Sequence, residues 1–413
     1  MVSVAIDVPP GAEVSTWWAT LQHWQPLTRV TSGSGSWIPS WCCPRSVRTT
    51  RPRGGLSSPR VTAHRRQGDS PLAADLDFIL EVAEEDIRQL DGLRLFVTGG
   101  TGFVGTWLLE ALVWSTHRRR AGPVMEVLTR DPAVFKARSP HLTGASCVDL
   151  LQGDVCEPIA TNGRADAIFH AATPASREFN EQSPRLMVDT IVDGMRNVLS
   201  VAAAAGQPRL LFTSSGAVYG RQPSEVTHLV EDSMTAPDQM SVGNAYHEGK
   251  RLAELLGAIA TDEGAADVVT GRLFAFVGPH LPIDAHYAVG NFIRDALAGG
   301  PVVVEGDGSP FRSYQYAADL VVWMLALLVR GEPGRAYNVG SQDAISIADL
   351  ADLVARVVGD GVPVDVRGTP VDGQPAQRYV PDCQRAEVEL HVCNSVPLAE
   401  ALERTATWHR SIS

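Results

Sequence analysis

Leu93-Arg94-Leu95-Phe96-Val97-Thr98-Gly99-Gly100-Thr101-Gly102-Phe103-Val104-Gly105 is the stretch on which the fold turns. Leu93–Thr98 is apolar and β-rich, so it predicts a strand. Gly99, Gly102 and Gly105 follow at once, and a helical stretch then runs to about Trp114. A GxxGxxG turn between strand and helix lets the backbone reverse tightly and approach a pyrophosphate, which rests on the unpaired N–H groups of the helix start. The last glycine lets the helix pack close to the strand. Such a triplet also arises in ordinary loops; its place after a strand and before a helix carries the reading.

Outward from this turn the pattern repeats. Strands are expected at Val124–Thr129, Val148–Gln152, Ala167–Ala172, Arg209–Ser214 and Val268–Phe274. Amphipathic segments lie between them, notably Arg185–Ala205 and Ala245–Ala260, and a leading helix is expected over Leu72–Leu90. Strands alternating with helices imply an α/β fold, a Rossmann-type doubly wound parallel sheet covered on both faces. Beyond Phe274 the rhythm loosens into Pro and Gly clusters with short strands at Val302–Glu305 and Tyr337–Val339. The organisation read from this is a dinucleotide-binding domain over 71–274 and a smaller, mainly substrate-binding lobe over 275–413.

Residues 1–70 do not match. They carry eight Arg against three acids, a net of +5, which leaves −17 for the remainder of a chain whose total is −12. Five of the nine Trp fall here (Trp17, Trp18, Trp24, Trp37 and Trp41), with neither helical nor strand periodicity. A disordered extension is expected. The start shows no basic region followed by an apolar run, hence no secretory signal. Over the whole 413 residues, 44% hydrophobic and 20% charged composition suits a globular enzyme. The acidic balance argues against nucleic-acid binding, and no apolar run reaches the roughly 18 residues of a membrane span. Six scattered Cys form neither a disulfide framework nor a metal site, so the chemistry is read as cytoplasmic and metal-free.

Tyr246-His247-Glu248-Gly249-Lys250 is the most informative segment outside the glycine turn. A YxxxK spacing on a helix puts phenol and ammonium one turn apart on the same face, and a nearby cation favours the phenolate. The chain has only two lysines, Lys136 and Lys250, so a lysine kept at this spacing is notable. Ser215, in Thr213-Ser214-Ser215-Gly216-Ala217-Val218-Tyr219-Gly220, falls at the carboxyl end of a strand, where open α/β sheets bind ligands. There it can hydrogen-bond the same substrate oxygen as Tyr246. After the second strand, Arg130 is suited to the 2′-phosphate of NADPH, and Asp131 beside it leaves NAD open. Asp154 is placed to accept from the adenine amino group, or simply to cap the strand end.

These residues resemble the extended short-chain dehydrogenase/reductase family, the nucleotide-sugar epimerases, dehydratases and ketoreductases. The resemblance spans roughly residues 90–390 and includes Thr98–Gly105, Asp154, His170-Ala171-Ala172, Ser214–Gly220, Tyr246/Lys250 and Tyr337-Asn338-Val339-Gly340-Ser341. It implies a catalytic set of Ser215, Tyr246 and Lys250. Cofactor contacts are expected at Gly99, Thr101, Gly102, Phe103, Val104, Gly105, Arg130, Asp154, Val155, Ala171 and Ala172, besides Tyr246 and Lys250. A nucleotide-sugar substrate would be held by Asn291 and by Arg312 of the Arg-x-x-x-Tyr-x-x-Asp pattern, with Ser215. Homodimerisation through the two long amphipathic helices is a further implication.

Departures from the family pattern bear on the reaction. Dehydratases carry Asp-Glu after the catalytic hydroxyl, and decarboxylases usually keep the Glu; here Gly216 and Ala217 stand instead, and a methyl group does no acid–base work. An Asn expected three residues before Gly194 is absent. A second phosphate-binding Arg expected near the start of 372–382 is missing, with Arg378 as a substitute. The balance favours NADPH-dependent reduction of a 4-keto-6-deoxy sugar nucleotide, in character closest to dTDP-4-keto-6-deoxyhexose 4-ketoreductases. An NAD-retaining epimerase is the alternative.

Overall fold

In the computed structural model, residues 70–174, 177–285, 287–371 and 373–412 are described. The expected extension over 1–70, with its Trp cluster and Cys42–Cys43, therefore lies outside the described residues except for Ser70, and His286 is likewise outside them. Six strands, β1 (Arg94–Thr98), β2 (Val124–Thr129), β3 (Val148–Gln152), β4 (Ala167–His170), β5 (Arg209–Ser215) and β6 (Asp267–Leu273), and a seventh at Ala336–Val339 form one sheet. Its order is Ala336–Val339, β6, β5, β4, β1, β2, β3, with every pairing parallel. The chain winds outward from β1 in both directions, so the carboxyl ends of β1 and β4 diverge into a crevice.

Alternation along each strand sends side chains to opposite faces. Leu95, Val97, Phe169 and Leu211 pack on one side with Trp107, Leu108, Leu112 and the helix Ala317–Arg330, apolar from Leu320 to Val329. Phe96, Ile168, Leu210 and Phe212 pack on the other with Met187, Ile191, Met195 and Val198 of helix Pro184–Ala205. That helix lies against helix Ala245–Asp262 because the second is notched by glycine. A Cβ on Gly249 would stand 3.1 Å from Ile191 Cδ1, and one on Gly257 3.1 Å from Met195 Cε.

Several boundaries differ from expectation, each for a physical reason. The leading helix is two, Ala73–Val82 and Glu84–Gln89, broken at Ala83. Glu84, Glu85 and Asp86 favour a fresh helix start there by complementing its dipole. Both helices are anchored from far away: Tyr316 Oη donates to Asp75 at 2.7 Å, and Arg330 Nε to Asp86 at 2.6 Å. The fourth strand stops at His170, since Ala171 and Ala172 turn to face the glycine loop. From the later part of the chain, Ala317–Arg330 and Ala336–Val339 return to the main sheet. What remains separate there are small pairings: Val302–Val304 with Val364–Val366, Gln315–Tyr316 with Phe276–Val277, and a three-stranded set of Ile345–Ser346, Phe311–Arg312 and Arg378–Tyr379.

Candidate active site

The glycine turn is built of backbone. Gly99 has φ +71°, and a Cβ there would overlap the carbonyl of Ala171 and lie 2.6 Å from Ala172 N. A Cβ on Gly105 would overlap Gly99 O and lie 2.6 Å from Gly100 Cα. Helix Phe103–Arg119 begins at Gly102 without a side-chain cap, leaving its first N–H groups open to an anion. This cradle fits a dinucleotide's pyrophosphate. Arg138, which the sequence reading did not single out, donates to Thr101 O and steadies the loop from the side.

Around the loop the expected residues divide. Arg130 is exposed at the tip of β2. Asp131 accepts from Ala133 N and Val134 N, both at 3.0 Å, so its carboxylate is engaged as the cap of the next helix. Asp154 accepts from Cys156 N at 3.0 Å, while Val155 is buried and its carbonyl accepts from Asn197. His170 is fully buried and shares a 2.7 Å hydrogen bond with Thr98. Burial, then the Lys250 charge, pushes its pKa down to about 3. It is a neutral structural residue under the crevice.

At the end of β5 the site is made of side chains. Ser215 Oγ accepts from Ala217 N at 3.1 Å, and the Ser215 hydroxyl acts on the Tyr246 phenol. Burial raises the Tyr246 pKa and the Ser215 hydroxyl opposes the shift, so the resting phenol is protonated. Lys250, 2% exposed, donates from Nζ to Thr213 O at 2.7 Å and Thr173 Oγ1 at 2.9 Å, leaving one N–H of three for another acceptor. Its ammonium lies 4.7 Å from the Phe212 ring centre and 5.9 Å from that of Tyr246. Burial lowers its pKa to about 7, with Glu254 opposing.

Two supports went unforeseen. Asn180 accepts from Tyr246 N at 2.9 Å and donates to Gly243 O at 2.8 Å, fixing the first turn of the Tyr246 helix. Glu254, one turn beyond Lys250, accepts from Ser214 Oγ at 2.5 Å and from Arg272 at 2.7 Å, tying that helix to β5 and β6. Asn338 has a framework role: it accepts from Tyr219 at 2.7 Å and donates to Leu229 and Asp382 carbonyls.

The expected substrate residues come from the later part of the chain. Asn291, on helix Ala288–Leu297, accepts from Arg294 at 3.2 Å. Arg312 donates to Phe311 O at 2.8 Å, and its charge acts on Tyr314 and Tyr379. Arg378 lies over the Phe311 ring at 4.3 Å. Tyr379, paired in register with Arg312, was missed altogether. Its ring packs on Phe274 with centres 4.6 Å apart, and its phenol oxygen lies 2.7 Å from where a Cβ on Gly216 would stand. No local pattern announces this; it depends on the pairing of strands far apart in sequence.

A parallel sheet of this order, a glycine cradle at β1 and a Ser–Tyr–Lys cluster at β5 define a Rossmann-fold nucleotide-cofactor protein. The chain belongs to the NAD dependent epimerase/dehydratase family, which it matches over residues 95–340. It is 31% identical to UDP-glucuronic acid decarboxylase 1 of Arabidopsis thaliana over 77% of this chain and 70% of that one. With the Xenopus tropicalis protein of the same name, identity is 30% over 78% and 74%. Among solved structures, UDP-glucose 4-epimerase of Thermotoga maritima superposes with a TM-score of 0.67 at 21% identity, over 78% of this chain and 99% of that one. The dTDP-glucose 4,6-dehydratase DesIV of Streptomyces venezuelae, solved with NAD, gives 0.64 at 24%, over 77% and 97%. Among the described residues no cluster is suited to a metal ion, and no helix is long and apolar enough to cross a membrane.

Proposed function

We propose that this enzyme reduces the keto group of a nucleotide-activated 4-keto-6-deoxy sugar, with a dTDP-sugar as substrate and NADPH as reductant. The residues of the glycine turn, Gly99, Gly102 and Gly105, with Arg130, would hold a nicotinamide cofactor, which would supply the hydride. Ser215 hydrogen-bonds the carbonyl oxygen, where negative charge develops. Tyr246, protonated at rest, delivers its proton to that oxygen. Lys250 keeps a free N–H for a ribose hydroxyl and stabilises the phenolate left behind.

The observation that carries this reading is the pair Gly216-Ala217 beside a complete Ser215–Tyr246–Lys250 set. Elimination of water needs a carboxyl group at these positions. A Cβ on Gly216 would already lie 2.6 Å from Phe274 Cζ and 2.7 Å from Tyr379 Oη, so position 216 has no room for one. Hydride and proton transfer need no further group. The likeness in fold to a UDP-glucose 4-epimerase favours a second reading, in which Tyr246 acts first as base on an enzyme that retains NAD. Exposed Leu186, Leu252, Leu255 and Ile259 on the paired helices support a homodimer formed through that face.

The test follows nicotinamide absorbance with NADPH, then NADH, against dTDP-4-keto-6-deoxyglucose. Stoichiometric oxidation supports the reductase. No oxidation, with NAD released on denaturation, supports the epimerase. Release of carbon dioxide from UDP-glucuronic acid would overturn both.

A further inference from the structure

Of the two lysines in the chain, Lys136 is exposed and Lys250 is buried beneath the crevice. A buried ammonium keeps its charge only where acceptors replace the water it has lost. Lys250 Nζ meets two, and they differ in kind. Thr213 O, at 2.7 Å, is backbone of β5 and is fixed by the sheet. Thr173 Oγ1, at 2.9 Å, is a side chain from the segment after β4, 77 residues away in sequence.

The direction of each bond follows from counting. An ammonium has three protons and no lone pair, so Nζ can only donate. Thr173 must then accept with its oxygen and send its one proton elsewhere, and Ala172 O stands 2.8 Å away to take it. The hydroxyl is thereby held with a lone pair turned to Lys250. Ala172 also walls the glycine loop, its nitrogen 2.6 Å from a Cβ built on Gly99. The two ends of the site meet at Thr173, a residue that neither the glycine turn nor the Tyr246–Lys250 spacing points to.

We propose that Thr173 is a positioning residue: its hydroxyl keeps the buried Lys250 as the ammonium and, with Thr213 O, sets the direction of the one N–H left over. With a single acceptor the ammonium can swing about that contact; with two, its third N–H is aimed one way. Charge-assisted bonds of this kind are the strong ones, and here they offset the burial that acts against the charge. The inference rests on the proposed role of Lys250 beside Tyr246, and on no particular sugar.

Thr173→Val removes the hydroxyl and keeps the shape of the side chain, whereas Thr173→Ser keeps the hydroxyl. With only two lysines, protein labelled isotopically at lysine Cε gives two lysine signals by NMR, and exposed Lys136 is the internal reference. The charged and titratable groups facing Lys250 are Tyr246 and Glu254 on its own helix and His170 at the end of β4, with Arg272 of β6 paired to Glu254. None of them is altered in these variants. The Lys250 midpoint, which burial lowers to about 7, should fall by about one further pH unit in Thr173→Val and hardly move in Thr173→Ser. Thr173→Ala lacks the hydroxyl too, should show the same fall, and serves if the valine variant folds poorly. With NADPH and dTDP-4-keto-6-deoxyglucose, the high-pH limb of kcat should move down with the midpoint while KM stays unchanged. A midpoint unmoved by loss of the hydroxyl, or one that falls as far in Thr173→Ser, would overturn the proposal. A midpoint that falls while the kcat profile stays in place would instead remove Lys250 from the catalytic set. The titration needs neither substrate nor cofactor, so it holds if the sugar is wrong.

Discussion

The ends of β1 and β5 lie in the same sheet, yet they are built on different principles. At β1 the candidate cradle is made of backbone: two glycines remove side chains so that N–H groups and a carbonyl come within contact of one another. At β5 the candidate site is made of side chains from distant segments, Ser215 from the strand, Tyr246 and Lys250 from the next helix, and Tyr379 from a strand near the chain's end. A backbone site fails when one atom is added, whereas a side-chain site fails when one functional group is lost.

The largest effect that would test this contrast is at β5. Tyr246→Phe should lower turnover by about 10³-fold while cofactor affinity stays within a small factor; steady-state rates and a nucleotide titration measure the two separately. Gly99→Ala should behave the opposite way, since one methyl collides with Ala171. It should cost roughly 1–3 kcal/mol of stability and most of the cofactor affinity, read by thermal melting with and without nucleotide.

Lys250 sharpens the comparison through pH. Burial holds its folded pKa at about 7, whereas an unfolded lysine titrates near ~10.4. Between these values the unfolded chain binds a proton that the folded one lacks, so wild-type stability rises with pH across that window. Lys250→Met should therefore be inactive yet more stable than wild type below pH 7, by about 2 kcal/mol, with the advantage shrinking towards pH ~10. Melting curves across that range check the sign. The smallest effect concerns the exposed rim of the backbone site: Arg130→Ala should weaken NADPH binding about tenfold more than NADH. Equal losses would remove the case for a phosphate contact there.

Much of the sheet was legible because strand and helix periods are local properties. The paired amphipathic helices and all six expected sheet strands before residue 275 were placed to within a residue or two at each end. Boundaries moved where a distant contact decided them, as at Ala171, which leaves its strand to wall the glycine loop. The missing acid at 216–217 was visible too, but its cause was not. A glycine next to Ser215 looks like a deletion until Phe274 and Tyr379 are seen in the space. Asp131 is a similar case: beside Arg130 it reads as a ribose ligand, and only the helix after it shows the carboxylate spent on a cap.

By itself the amino-acid sequence determined the parallel α/β architecture, the glycine turn and the Tyr246–Lys250 pairing, because contiguous residues encode backbone dihedrals and helical spacing. Tertiary structure alone decided which side chains fill the space beside Gly216. That depends on Arg378–Tyr379 pairing with Phe311–Arg312, a contact between segments whose approach is set by the packing of the whole chain rather than by any local pattern.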